Sequence, residues 1–313
     1  MADSSGHDET RPWTYFALGL HIRSERPLPD LIEQPIPSAG AVDIRWGQAP
    51  VPPGPADAKS EIVQIDGDAI LVTARTVARF YLHAGDEIIV EPAPGASDQL
   101  VHAFLLGTVL GLICHQRGLL PLHANAIIVG DRAVAIAGPS GAGKSTLAAH
   151  FVERGFGLLS DDVCAISFSP SGDPMAWPGM PRVRLWADAA AALGKSTDGL
   201  EAVHNRANKY TFPLAATPPQ QGLPLDRIYV LTKPADCPSA AISLLTGSHA
   251  MKAIIEQTFR GEFLAPMGGA KQRFARALAL SEAAPVYCVP WGHDFSRFAA
   301  DAGRLERHFR DAA

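Results

Sequence analysis

Cysteine is scarce, with four residues in 313, and those four (Cys114, Cys164, Cys237 and Cys288) are widely spaced. Most lie in apolar surroundings. That pattern fits reduced core residues better than a disulfide framework or a thiolate metal site. No basic run occurs and the formal net charge is −5. Nucleic acid is therefore not expected as a partner, because a phosphate backbone demands clustered Lys and Arg. No long apolar run occurs either. The longest, 103–114, is closed at once by His115-Gln116-Arg117 and is too short to cross a bilayer. The first nine residues are acidic and polar, unlike a signal peptide. Together these absences predict a cytoplasmic protein with no membrane partner. No internal repeat or low-complexity tract is seen.

The content of 47% apolar and 19% charged residues suits a globular protein with sizeable cores. Lysine is also rare, with seven in the chain, and one of them falls in Gly138-Pro139-Ser140-Gly141-Ala142-Gly143-Lys144-Ser145. This run fits G-x-x-x-x-G-K-[ST] at every fixed position. An apolar strand, 133–137, enters it, and a helical run from Thr146 leaves it. The glycines let backbone N–H groups wrap an anion, and the helix N-terminus adds its positive end. Gly138, Ser140, Gly141, Ala142, Gly143, Lys144, Ser145 and Thr146 are the predicted nucleotide contacts, with Lys144 on the β- and γ-phosphates and Ser145 on Mg²⁺. The bland alternative is a glycine-rich turn that binds nothing.

Downstream, Leu158-Leu159-Ser160-Asp161-Asp162-Val163 reads as an apolar strand broken by two acids. Neighbours on a strand face opposite ways, so a regular strand cannot give both acids one task. At a strand end or bulge both can approach one Mg²⁺–phosphate centre. The functional reading is one metal-side carboxylate and one general base; the alternative is a polar strand end facing water. Upstream, 121–129 reads as a strand, Gly130-Asp131 as a tight turn, and Arg132 as the start of the return. That hairpin sets His123 opposite residue 138, beside the phosphate loop.

His123, the loop and the Asp pair resemble the catalytic core of HPr kinase/phosphorylase, a bacterial protein-serine kinase related in fold to ATP-dependent phosphoenolpyruvate carboxykinase. With Ser24-Glu25-Arg26-Pro27-Leu28-Pro29 and Gln116-Arg117-Gly118-Leu119-Leu120-Pro121-Leu122-His123-Ala124, the whole chain is similar to the HPr-kinase-like enzymes of peptide-biosynthesis clusters, including those that phosphorylate lasso-peptide precursors. The resemblance implies an α/β fold: a mixed-sheet P-loop kinase domain of the HPr kinase/PEP carboxykinase type behind an N-terminal β-rich domain. It also implies ATP and Mg²⁺, a peptide or small-protein substrate with an acceptor serine, and homo-oligomeric assembly. It gives Asp161 the role of general base, Asp162 and Ser145 that of metal ligands, and His123 a place near the reacting phosphoryl group. The basic signature associated with phosphorolysis is not found, which favours a one-way kinase.

The chain divides into a disordered tail, 1–12, a β-rich domain, 13–92, and the kinase domain, 98–313. In the β-rich part Phe16, Leu18, Leu20 and Ile22 alternate with other residues as one half-buried strand, and hairpins are expected at Asp66-Gly67-Asp68 and Ala84-Gly85-Asp86. That sheet either caps the kinase domain or binds peptide along an edge. Arg182 and Arg184, on a strand at 182–186, and Lys209, in a polar loop from His204 to Tyr210, are candidate phosphate or substrate contacts; surface arginines and a solvated loop are the alternatives. A small-metabolite kinase and a non-catalytic, nucleotide-gated peptide-binding protein remain as rival functions.

Overall fold

In the computed structural model, residues 11–52, 63–200, 208–213, 219–265, 267–292 and 294–310 are described. The expected tail falls almost wholly outside them, as do residues 204–207 of the polar loop. The chain forms two compact units, Met1–Arg117 and Gly118–Ala313.

The first unit is a seven-stranded sheet. Its strands are β1 (Trp13–Ala17), β2 (Leu20–Ser24), β3 (Val42–Trp46), β4 (Val63–Asp66), β5 (Ala69–Ala74), β6 (Ala78–His83) and β7 (Glu87–Pro92), in the order β1-β2-β3-β7-β6-β5-β4. The hairpins at Gly67 and Gly85 form as expected, with both glycines at positive φ. The alternating run from Phe16 to Ile22 is not one strand. It folds back on itself at Leu18-Gly19, both at positive φ, so that Tyr15 pairs with Ile22. Buried Leu18 occupies a turn position that β-propensity alone would not assign to leucine.

A helix follows: α1 (Asp98–Phe104), one π-helical turn (Leu105–Val109) and α2 (Leu110–Gln116). Ser97 caps its start by accepting from the Leu100 amide. At 19 residues it is long and apolar enough to cross a membrane by length and composition, but most of it is buried. The expected domain start at residue 98 therefore differs from the structural division at 117/118. The reason lies at the helix end. The Gln116 side chain bonds the Asp68 carbonyl and the Gly85 amide, and Arg117 Nε donates to the Gly85 carbonyl. These contacts pin the helix to two hairpin turns of its own sheet.

The second unit begins with β8 (Leu120–Leu122), β9 (Ala124–Val129) and β10 (Arg132–Ala137), followed by α3 (Lys144–Glu153), β11 (Gly157–Ser160), β12 (Cys164–Phe168) and β13 (Pro174–Ala176). Next come β14 (Arg182–Trp186), α4 (Ala187–Ala192), β15 (Lys209–Pro213), β16 (Leu223–Thr232), β17 (Ser243–Leu245), α5 (Gly247–Glu256), α6 (Ala270–Ala283), β18 (Val286–Pro290) and α7 (Phe295–Arg310). A nine-stranded mixed sheet runs β11-β9-β10-β16-β13-β12-β8, with β18 and β17 branching from β16. β10, β16 and β18 are parallel, while β9 is antiparallel to β10.

Side-chain alternation makes a core on each face of this sheet. Ala133, Ala135 and Ala137 pack with Ala250, Ile254 and Leu280 of α5 and α6. Val134 and Ile136 pack with Leu147 and Phe151 of α3 and Leu305 and Phe309 of α7. The loop that leaves β10 is thereby held between rigid elements at the ends of three parallel strands, the usual ligand-binding edge of such sheets.

The cysteines differ from expectation. Cys237 and Cys288 form a disulfide, joining the segment after β16 to β18. Spacing gave no hint of it, because the 51-residue separation is closed by sheet pairing and not by any local motif. Cys114 and Cys164 are free and buried, and burial pushes both thiols up to about 12.

Candidate active site

Strand, loop and helix follow one another as the glycine-rich motif requires. Gly138, Gly141 and Gly143 all have positive φ. At Gly138 a Cβ would lie 2.9 Å from the Leu231 carbonyl oxygen, so β16 leaves no room for a side chain where the loop begins. At Gly143, cap of α3, a Cβ would come within 3.2 Å of Trp291 Nε1. Ser140 and Gly141 are exposed, Ala142 and Gly143 half-buried. Thr146 is buried in the first turn of α3. The first amides of this ten-residue helix open toward the loop, an arrangement suited to an anion.

Lys144 is only 6% exposed. Its Nζ donates to the carbonyls of Gly138 (2.7 Å) and Pro139 (3.0 Å) and to His123 Nε2 (3.0 Å). Burial lowers its pKa to about 8, against the opposing pull of Asp162 and Asp161. The β9/β10 register pairs Ala124 with Ala137, so His123 faces the start of the loop, as the hairpin predicted. The strand expected over 121–129 breaks at His123: β8 pairs with β12, β9 with β10, and the His123 amide donates to Gln257 O. Burial, then Lys144, holds the imidazole below its ordinary pKa, so it is neutral at pH 7. With Lys144 donating to Nε2, the ring proton is assigned to Nδ1, which lies 3.2 Å from Asp162 O and 3.4 Å from Asp162 Oδ1.

Strand β11 ends at Ser160 after a register shift against β9, so the two acids stand at an irregular strand end. Asp162 has φ 71°, which turns its side chain away from that of Asp161. Asp161 is buried. Its Oδ1 accepts from Asn125 Nδ2 (2.6 Å) and Ser145 Oγ (3.1 Å), and its Oδ2 accepts from the Arg184 amide (3.0 Å). Burial and the neighbouring Asp162 raise its pKa. Asp162 is half-exposed beside His123. Of the two acids, the carboxylate that reaches the Ser145 hydroxyl is Asp161, because the left-handed turn sends Asp162 to the histidine.

Asn125 was not singled out from the sequence, although a fully buried Asn in an otherwise apolar strand is a signal. Its Nδ2 holds Asp161, and its Oδ1 accepts from the Asp162 amide at 3.4 Å. Of the candidate cations, Arg182 is buried, and Arg184 approaches the site through its backbone. Lys209 pairs across the β14–β15 ribbon with Trp186.

Among the described residues no cluster of three or more His, Cys, Asp or Glu could hold a metal. A hydroxyl and one carboxylate side by side, next to the glycine-rich loop, nevertheless fit Mg²⁺, which takes one or two protein oxygens and completes its shell with water and other oxygen ligands.

No protein-family model and no curated protein sequence matches the chain. Among solved structures, the chain is similar to the Hpr(Ser) kinase/phosphatase from Coxiella burnetii, at 14% identity over 61% of this chain and 92% of that one, with a TM-score of 0.33. So weak a likeness bears no weight beside the geometry of the site.

Proposed function

We propose that this chain is an ATP- and Mg²⁺-dependent kinase that transfers a phosphoryl group to a serine-type hydroxyl of a peptide or small protein. The carrying observation is the arrangement of two acids about one lysine: Asp161 against Ser145 on one side, Asp162 against His123 on the other. The loop amides and Lys144 would bind the phosphates of ATP. Ser145 and Asp161 would hold Mg²⁺, whose charge offsets that of the phosphate oxygens. Asp162, exposed enough to meet an acceptor, takes the hydroxyl proton. The new bond joins the hydroxyl oxygen to the γ-phosphorus, the bond to the β-phosphate oxygen breaks, and ADP leaves. This exchanges the roles that the resemblance implies for the two acids. Neutral His123 accepts from Lys144 and steadies the turn that carries Asp162.

The family resemblance favours a serine on a precursor peptide of the lasso-peptide type as the acceptor. Mass spectrometry of the protein with ATP, Mg²⁺ and the small peptide encoded beside its gene tests this, with an HPr protein in parallel. Phosphate on a peptide serine alone supports the full reading. Phosphate on HPr alone keeps the kinase and overturns the peptide substrate. Transfer to neither shifts the weight to a metabolite kinase or a nucleotide-gated binder.

A further inference from the structure

We infer that the indole N–H of Trp291 is a further phosphate donor of this site, bonding an oxygen of the bound nucleotide's phosphates beside the first amides of α3. The inference rests on the nucleotide-binding reading above and extends it to a residue outside the loop.

Trp291 is the first residue beyond β18, and its amide donates to the Thr232 carbonyl at the end of β16 (2.8 Å). β16 and β18 run parallel to β10, so all three strands end at the edge of the sheet where the loop lies. The tryptophan is thereby fixed at that edge. Its ring joins the core around Leu147 and Phe151 of α3, against which Ala142 of the loop also packs. Phe298 of α7 meets the ring edge-on, with centroids 5.9 Å apart. These contacts hold the ring, and none of them engages its nitrogen.

The N–H edge faces the loop. A Cβ at Gly143 would lie 3.2 Å from Nε1 and 4.0 Å from Cδ1, with no other indole atom as close. Trp291 is 7% exposed, and among the described residues Nε1 has no hydrogen-bond partner. A buried tryptophan ordinarily satisfies its N–H. The neighbouring backbone is in the same condition. Gly143 gives α3 no side-chain cap, and the amides of Gly143, Lys144, Ser145 and Thr146 donate to no backbone carbonyl among the described residues. An indole donor and a run of backbone donors without a protein acceptor thus meet at Gly143. A phosphate satisfies both at once, because its several oxygens each accept and its charge strengthens every bond to it. The indole adds a directed bond without bringing a second charge beside Lys144.

The test uses the full chain with ¹⁵N-labelled tryptophan and reads the Trp291 indole signal, assigned by its loss in Trp291→Phe. ADP·Mg²⁺ and pyrophosphate·Mg²⁺ are each expected to move that signal downfield and to slow its exchange with water, whereas adenosine should do neither. Trp291→3-benzothienylalanine keeps the fused ring and puts sulfur in place of the N–H. It should bind both phosphate ligands about tenfold more weakly, with thermal melting to verify that it folds. A wild-type signal that stays in place while ADP·Mg²⁺ and pyrophosphate·Mg²⁺ bind overturns the donor and leaves the kinase reading standing. Undiminished affinity in the folded analogue does the same. A signal moved by adenosine and not by pyrophosphate gives the N–H to the base and overturns the phosphate contact. A wild-type protein that binds neither phosphate ligand overturns the kinase reading and this inference with it.

Discussion

The Ser145 hydroxyl donates to Asp161 Oδ1 at 3.1 Å, tying the first turn of the loop helix to the end of β11. Asp162, next in the chain, turns instead to His123. The two acids should therefore fail differently. Asp161→Asn is expected to raise the Mg²⁺ concentration needed for half-maximal rate by tenfold or more, with kcat partly restored at saturating metal. Asp162→Asn is expected to lower kcat by about 10²- to 10⁴-fold with little change in metal or ATP affinity. Steady-state kinetics across a Mg²⁺ series distinguishes these outcomes, and the opposite pattern would return Asp161 to the role of base.

Asn125 links the pair: it donates to Asp161 at 2.6 Å and accepts from the Asp162 amide. Asn125→Ala removes a donor from a buried carboxylate, a loss of about 1–3 kcal/mol. The expected result is a lower melting temperature together with a weaker Mg²⁺ response. Asn125→Asp would set a third acid beside the other two and should be worse on both counts. Thermal melting with and without ADP·Mg²⁺ measures the effect; a variant that melts as wild type would show that the amide is dispensable.

Local signals made the loop legible. Gly138, Gly143 and Lys144 sit at fixed spacing, and the Gly130-Asp131 turn fixed the register that brings His123 to the loop. What stayed hidden depends on partners distant in sequence. Which acid meets Ser145 is decided by the positive φ of Asp162 and by Asn125 on another strand, and neither leaves a pattern in the run Ser160-Asp161-Asp162. The Leu18-Gly19 turn was concealed by unbroken alternation through it. Sequence alone groups residues 98–116 with the domain that follows, because the anchors of their helix, Asp68 and Gly85, lie far upstream in hairpin turns.

Lys144 carries a pH prediction. Burial lowers its pKa to about 8, so its neutral amine is populated at mildly alkaline pH. Bound phosphate favours the ammonium and raises the pKa in the complex. Nucleotide affinity should then be highest below pH 8 and fall as pH rises through about 8, until the pKa of the complex is reached. Acylation of Lys144, followed by peptide mapping, should rise with a midpoint near pH 8, while lysines in water titrate near 10.4. ADP should protect it. A midpoint shared with the other lysines would refute the perturbed amine.

The Cys237–Cys288 bond makes a prediction that needs no ligand. Under denaturing, non-reducing conditions a thiol reagent should count two free cysteines, Cys114 and Cys164, and after reduction it should count all four. In the native protein those two thiols should scarcely react, since they are buried and titrate only at about 12. Chain entropy assigns about 4 kcal/mol to closing a loop of this length, the upper part of the range usually measured. Cys237→Ser should thus lower the melting temperature under oxidising conditions and have little effect in excess dithiol, where the wild-type bond is itself open. Because Cys288 lies on β18, directly before the Trp291 that packs on Gly143, the same comparison with ADP·Mg²⁺ present tells whether the bond also braces the loop. A loss of nucleotide affinity in Cys237→Ser that exceeds its loss of stability would place the disulfide in support of the site, and equal affinities would confine it to the stability of the sheet.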